Sequence, residues 1–275
     1  MPKLVTGLCL ALFCVLAAGP VGAADDPGDA LRRAASAGDL AKVKELLAAG
    51  VDVNAANAYG GTALAFAADK GHAAVVDLLL ERGANINVKD SFYGSTPLGW
   101  AVRHGHAEIV RTLLAKGAQG ETEALIRAAT EGRGTVVKVI LERGKVEPEA
   151  LTDALEAATQ GQQPETAALL QAAGARPPVT VPLDPAVLKT YEGIFEGTFA
   201  GEPFELTTAA KDGKLIMTIP DDGVYVFAPT DPVTFRAEEV PGLKVVFQVE
   251  EGKVRGLSIL QGETSTPLTK KETMP

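Results

Sequence analysis

Fourteen residues of this chain are written almost twice. Gly71 to Ala84 reads GHAAVVDLLLERGA, and 34 residues later Gly105 to Ala118 reads GHAEIVRTLLAKGA. A lone amphipathic helix needs no second copy. Self-similarity at a period near thirty residues marks a stack of small units, each unable to bury its apolar face alone. An Ala pair, a Gly, a Leu pair and a second Gly carry the period along the chain. They stand at Ala67-Ala68, Gly71, Leu79-Leu80 and Gly83, and the same spacing gives Ala34-Ala35, Gly38, Leu46-Leu47 and Gly50. It returns at Ala101-Val102, Gly105, Leu113-Leu114 and Gly117, then at Ala128-Ala129, Gly132, Ile140-Leu141 and Gly144. A worn copy follows at Ala157-Ala158, Gly161, Leu169-Leu170 and Gly174.

Each unit reads as two short antiparallel helices. The Ala pair lets neighbouring first helices approach closely, and the apolar spacing of AAVVDLLL gives a second helix with one buried face. Gly83 and Gly117 stand where a helix ends in a left-handed residue. The segments between units, VDVNAANAYGGT and ANINVKDSFYGST, are rich in Asn, Asp and Gly, as protruding turns require. Thr62 and Thr96 are positioned to cap the next helix, with Pro97 at its first residue.

At these residues the chain resembles the ankyrin repeat family. The family pattern stands here as Gly61-Thr62, Leu64, Ala67-Ala68, Gly71-His72, Val75-Val76, Leu78 to Leu80, Gly83-Ala84 and Asn87. The resemblance implies five repeats over 29–177, at about 29–57, 58–90, 91–119, 120–146 and 147–177. It also departs from the pattern: Ala65 and Gly99 replace the usual His after the TPL position, so the bonds that His makes must be replaced or lost. His72 and His106 occupy the family's GH position, where the role is structural.

Repeat stacks make long concave surfaces that hold protein partners. The positions that differ between repeats are therefore the candidates for contact: Phe66, Asp69, Trp100, Arg103, His104 and Arg127 on the first helices, with Asn57, Tyr59, Asp90, Phe92 and Tyr93 at the turn tips. Trp, Tyr and Arg are the usual interface anchors. Two readings stay open for Phe66 and Trp100: contact with a partner, or packing against the adjoining loops.

Residues 1–23 read as a secretory signal peptide. Lys3 is followed by an apolar run from Leu4 to Ala18 and by small residues ending at Ala23; such a run is short of the ~20 residues that span a bilayer. Both cysteines, Cys9 and Cys14, lie within it and outside any lipoprotein-type triplet. The expected mature chain is disulfide-free, which fits a bacterial periplasm, so the expected location is periplasmic or secreted. The only membrane contact expected is that of the signal before cleavage.

Past Arg176 the pattern changes. RPPVTVPLDP is Pro-rich and reads as a linker over 178–187. Seven or eight short strands follow, separated by turn signals such as Lys211-Asp212-Gly213 and Glu250-Glu251-Gly252. YEGIFEG, KDGKL and FQVEEGKVRGLSILQ make 188–275 similar to the lipocalin-like domain appended to secreted serine hydrolases of the β-lactamase class. The fold expected is thus multidomain α + β: an α-solenoid followed by a small antiparallel β-barrel or sandwich.

Little in the sequence points to catalysis. G-x-S-x-G, the phosphate-binding G-x-x-x-x-G-K-[ST] and S-x-x-K are all missing, and a catalytic site needs converging groups. No metal-ligand spacing completes around His104, so neither a metal nor another cofactor is expected. The formal charge of −9 lacks the basic clusters a nucleic-acid partner demands. The expected function is a non-enzymatic exported adaptor that holds an envelope or periplasmic protein. The alternative is a small apolar ligand inside the barrel, lined by Phe195, Phe199, Phe227, Phe235 and Phe247, with the repeats as scaffold.

Overall fold

The computed structural model describes residues 26–144, 146–199, 201–261 and 264–271. The expected signal peptide, 1–23, lies outside them. The described residues cluster into two compact units: one runs to Val146 and includes Gln163–Leu169, and the other holds Glu147–Gln162 and the chain from Leu170 on.

The first unit is a stack of helix pairs: α1 (Pro27–Ala37) with α2 (Leu40–Ala48), α3 (Ala63–Lys70) with α4 (Ala73–Glu81), α5 (Pro97–Arg103) with α6 (Ala107–Ala115), and α7 (Glu121–Thr130) with α8 (Gly134–Glu142). First helices pack in the order α1, α3, α5, α7, and second helices pack α2, α4, α6, α8. The Ala pairs are fully buried between first helices, and Val76, Leu79, Val110 and Leu113 are the buried face of the second. Thr62 and Thr96 cap as the sequence predicts: their hydroxyls accept from the Ala65 and Gly99 amides at 3.3 and 3.1 Å.

The GH step locks one repeat to the next. His72 Nε2 lies 3.0 Å from the Ser36 carbonyl and His106 Nε2 lies 3.0 Å from that of Asp69. In the fourth repeat Arg133 takes the same place, its guanidinium donating to the Arg103 carbonyl at 2.7 Å. Gly71 (φ +82°) is tolerated there for two reasons: its backbone is left-handed, and a Cβ would come within 2.7 Å of the His106 ring.

The second unit begins with α9 (Pro148–Gln160) and also contains α11 (Pro185–Thr190), which starts inside the Pro-rich stretch; between them lies α10 (Pro164–Ala172). Eight strands follow: β1 (Gly193–Phe199), β2 (Glu202–Lys211), β3 (Lys214–Ile219), β4 (Gly223–Pro229), β5 (Thr234–Ala237), β6 (Leu243–Glu250), β7 (Lys253–Gln261) and β8 (Thr264–Lys270). They form a closed antiparallel barrel rather than a sandwich, with β8 returning to β1 through the pair Glu196↔Thr269. The predicted turns explain the tight hairpins. Asp212-Gly213 (φ +52° and +77°) and Glu251-Gly252 (φ +50° and +75°) are positive at both central positions, the two-residue geometry that matches strand twist.

Inward positions alternate with outward ones, and the interior holds Phe195, Leu206, Leu215, Phe227, Phe235, Phe247 and Leu268. The Phe247 ring lies 5.8 Å from Phe195 and 5.5 Å from Phe235. α11 sends Leu188 into the same core, followed by Tyr191, whose hydroxyl donates to the Pro232 carbonyl at 2.6 Å. Burial, with the nearby Asp231 carboxylate, holds the Tyr191 phenol above its usual pKa. Phe199 instead stands exposed at a strand end beside Phe204.

Candidate protein-interaction site

The turn between α4 and α5 projects as a finger, and Asp90 is its clamp. Asp90 is only 9 % exposed. Its carboxylate accepts the amides of Phe92 (3.1 Å), Tyr93 (2.6 Å) and Ser95 (3.1 Å), and the indole N–H of Trp100 at 3.1 Å. Its own amide donates to the Ser95 carbonyl at 3.0 Å, closing the turn. Such local side-chain bonding is what makes Asp and Asn turn formers. One repeat earlier Asn57 does the same with less: its side-chain oxygen accepts the Tyr59 and Gly61 amides at 3.0 and 2.8 Å. The difference is paired with the aromatic below. Phe66, which has no N–H to give, closes on Gly61 so tightly that a Cβ there would meet its ring at 3.2 Å. Trp100, which has one, stands where the acceptor is a carboxylate. This clamp braces the finger where the family His is missing. At Gly99 a Cβ would lie 2.7 Å from Ser95 Oγ, so a side chain there would require the Ser95 hydroxyl to turn away.

With the turn held, the aromatic side chains form a band. The Tyr59 and Phe92 rings lie 6.1 Å apart, Phe92 and Tyr93 4.6 Å, and Tyr93 and Trp100 5.4 Å, each edge to face, the arrangement that aromatic quadrupoles favour. The Ser91 amide donates to the Tyr59 carbonyl at 2.8 Å and ties neighbouring fingers together. Arg103 lays its guanidinium 5.5 Å from the Tyr93 ring centre and 5.6 Å from that of Trp100. His104 stacks on Trp100 at 6.4 Å, and its Nε2 lies 2.9 Å from Asp69 Oδ1. Tyr59, Phe92 and Tyr93 remain 61, 67 and 44 % exposed, whereas Trp100 and Phe66 are half-buried.

The candidate residues thus sort by place. Tyr59, Phe92, Tyr93, Trp100, Arg103, His104 and Asp69 are brought into one band, with Asn57 and Asp90 as its supports. Phe66 packs into its own loop. Arg127, on α7, faces Glu123 at 3.9 Å and has no ring contact in the band. Ser91 and Ser95 complete the finger through backbone groups, and no side-chain chemistry in the sequence singles them out. Among the described residues no group of three or more His, Cys, Asp or Glu could hold a metal ion. No helix among them is long and apolar enough to cross a membrane.

Residues 31–123 match the family model of ankyrin repeats in three copies. Curated relatives match over a short stretch. "Ankyrin repeat, SAM and basic leucine zipper domain-containing protein 1" of Mus musculus is 39 % identical over 61 residues, covering 22 % of this chain and 13 % of the relative. Its Equus caballus counterpart is 40 % identical over 60 residues, with the same shares. The matched stretch therefore spans about one eighth of those proteins' length. Among solved structures, the human ASB11 ankyrin repeat domain is 30 % identical, covering 53 % of this chain and 69 % of that one, with a TM-score of 0.48. Residues 31–123 are thus similar to ankyrin repeats, three copies of which the family model finds there.

Proposed function

We propose that this chain is a non-enzymatic, exported adaptor that grips an envelope or periplasmic protein through the fingers and first helices of its second and third repeats. The observation that carries this reading is the band from Tyr59 to His104. Single exposed apolar residues need no explanation, but a contiguous run of them does. Here three exposed rings at neighbouring fingertips are held in fixed orientation from below by Asp90, Trp100 and Arg103. A preformed aromatic anchor loses little side-chain freedom on binding, which is how such residues come to dominate interfaces. The export part of the reading rests on the charge, apolar and small-residue order of residues 1–23. In the barrel, the mutual contacts of Phe195, Phe235 and Phe247 favour a filled interior over a bound apolar ligand.

A photo-reactive phenylalanine analogue placed at Tyr93 in the full-length gene tests both parts at once. On irradiation of producing cells, a covalent adduct with one protein of the exported fraction is expected. The same analogue at Lys44, on the second helix of the first repeat, should give no such adduct. The mass of the recovered chain should correspond to an N-terminus at Ala24. Equal labelling from both positions would remove the finger from the interface, and a chain retaining residues 1–23 would remove export.

A further inference from the structure

A pair of cations faces outward from the barrel where neither should be comfortable. Arg236 on β5 and Lys244 on β6 are direct cross-strand partners. Their neighbours Phe235, Ala237, Leu243 and Val245 all point into the core, so alternation puts both cations on the outer wall. Like charges directly opposite one another destabilise a sheet. Both residues are also buried, 7 and 9 % exposed, where a charge must be paired.

The counter-charges come from α9, which clusters with the barrel in the same compact unit. Glu149, Asp153 and Glu156 fall on one helix face by their spacing of four and three. Asp153, itself buried, bonds the Arg236 guanidinium and lies 3.5 Å from Lys244 Nζ, so one carboxylate neutralises both cations. Glu156 accepts from Arg236 at 3.2 Å, and Glu149 pairs with Lys244. At the far end the Gln160 side-chain amide donates to the Glu238 carbonyl at 2.9 Å. Burial raises the Glu156 pKa although Arg236 pulls it down, as befits a contact that excludes water.

We propose that the outer wall of β5 and β6 is a docking surface for a helix with an acidic stripe, that α9 is its occupant, and that residues 148–160 are therefore a working part of the barrel unit. Buried ion pairs contribute register more surely than stability. A four-residue slide that brought Ala157 to the place of Asp153 would leave Arg236 and Lys244 facing each other without a shared carboxylate, whereas the opposite slide would put Glu149 there.

The test is hydrogen exchange of the full chain at neutral pH, read by peptide. In Arg236→Ala, exchange across 148–160 should quicken by at least about 30-fold, since breaking a buried pair strands its partners, while β6 and β7 stay protected. The charge-exchanged chain, Asp153→Arg with Arg236→Asp, should recover protection of 148–160 relative to Arg236→Ala. Unchanged exchange of 148–160 in Arg236→Ala overturns the proposal. Should that variant also open the barrel strands, the charge-exchanged chain decides: recovery supports the dock, and no recovery overturns it.

Discussion

Replacing Phe235 by Ala is expected to cost the barrel about 3–5 kcal/mol, the range for deleting a fully buried aromatic ring. Phe235 is fully buried on β5, the shortest strand, and its ring meets Tyr191 at 5.2 Å and Phe247 at 5.5 Å. Those neighbours cannot collapse into the gap. Tyr191 is tethered through its hydroxyl to the Pro232 carbonyl, and Phe247 is held in the middle of β6. A closed barrel also lacks the loose edge along which a sheet could yield. Phe235→Leu restores most of the volume and should cost less than about 1.5 kcal/mol. Hydrogen exchange of β5 and β6 peptides against urea measures both. Equal, small effects from the two substitutions would mean that the interior is roomy at this point, and the ligand reading of the barrel would regain weight.

Removing Trp100 is expected to be the costliest single change in the repeats outside the Ala and Leu core. Trp100→Ala takes away a half-buried ring that supports Tyr93, and with it one of the four donors on a buried carboxylate. A loss of about 2–4 kcal/mol follows from the packing and the hydrogen bond together. Trp100→Phe keeps much of the ring and loses only the N–H. Asp90 retains three backbone donors, so about 1 kcal/mol is expected. The sharper readout is local: exchange of the amides of Phe92, Tyr93 and Ser95 should quicken in Trp100→Ala and little in Trp100→Phe. If the two variants loosen the finger alike, the indole N–H and not the ring is its brace.

Short-range features were open to reading from the sequence, and long-range ones were not. The Gly and Thr positions of the repeats follow from local backbone demands, so the helix pairs and caps could be placed. The hairpins at Asp212-Gly213 and Glu251-Gly252 announce themselves by residues that tolerate positive φ. Closure of the sheet depends on β1 meeting β8, a pairing between distant segments that no local pattern carries. β8 itself is polar and holds Pro267, which hides it among turn-like residues. In the candidate site, Trp100 and Tyr93 stood out by rarity and position. That Asp90 joins them, with four donors on one carboxylate, is a matter of geometry across ten residues. His104 had no visible partner until α5 was set beside α3, where Asp69 lies. The acidic residues of α9 read as scattered, solvated charges, because their partners Arg236 and Lys244 stand some eighty residues away in a segment of different architecture.

The central claim is that the fingertip rings carry the affinity for a protein partner. It is tested most directly by titrating the partner captured through Tyr93 with the wild-type chain and with Phe92→Ala plus Tyr93→Ala, by calorimetry. Both rings are exposed, so their removal should leave the urea midpoint of the repeats nearly unchanged. Binding should weaken by at least about 30-fold, as loss of clustered aromatic anchors does. An affinity within about twofold of wild type, in a chain of unchanged stability, would contradict the account.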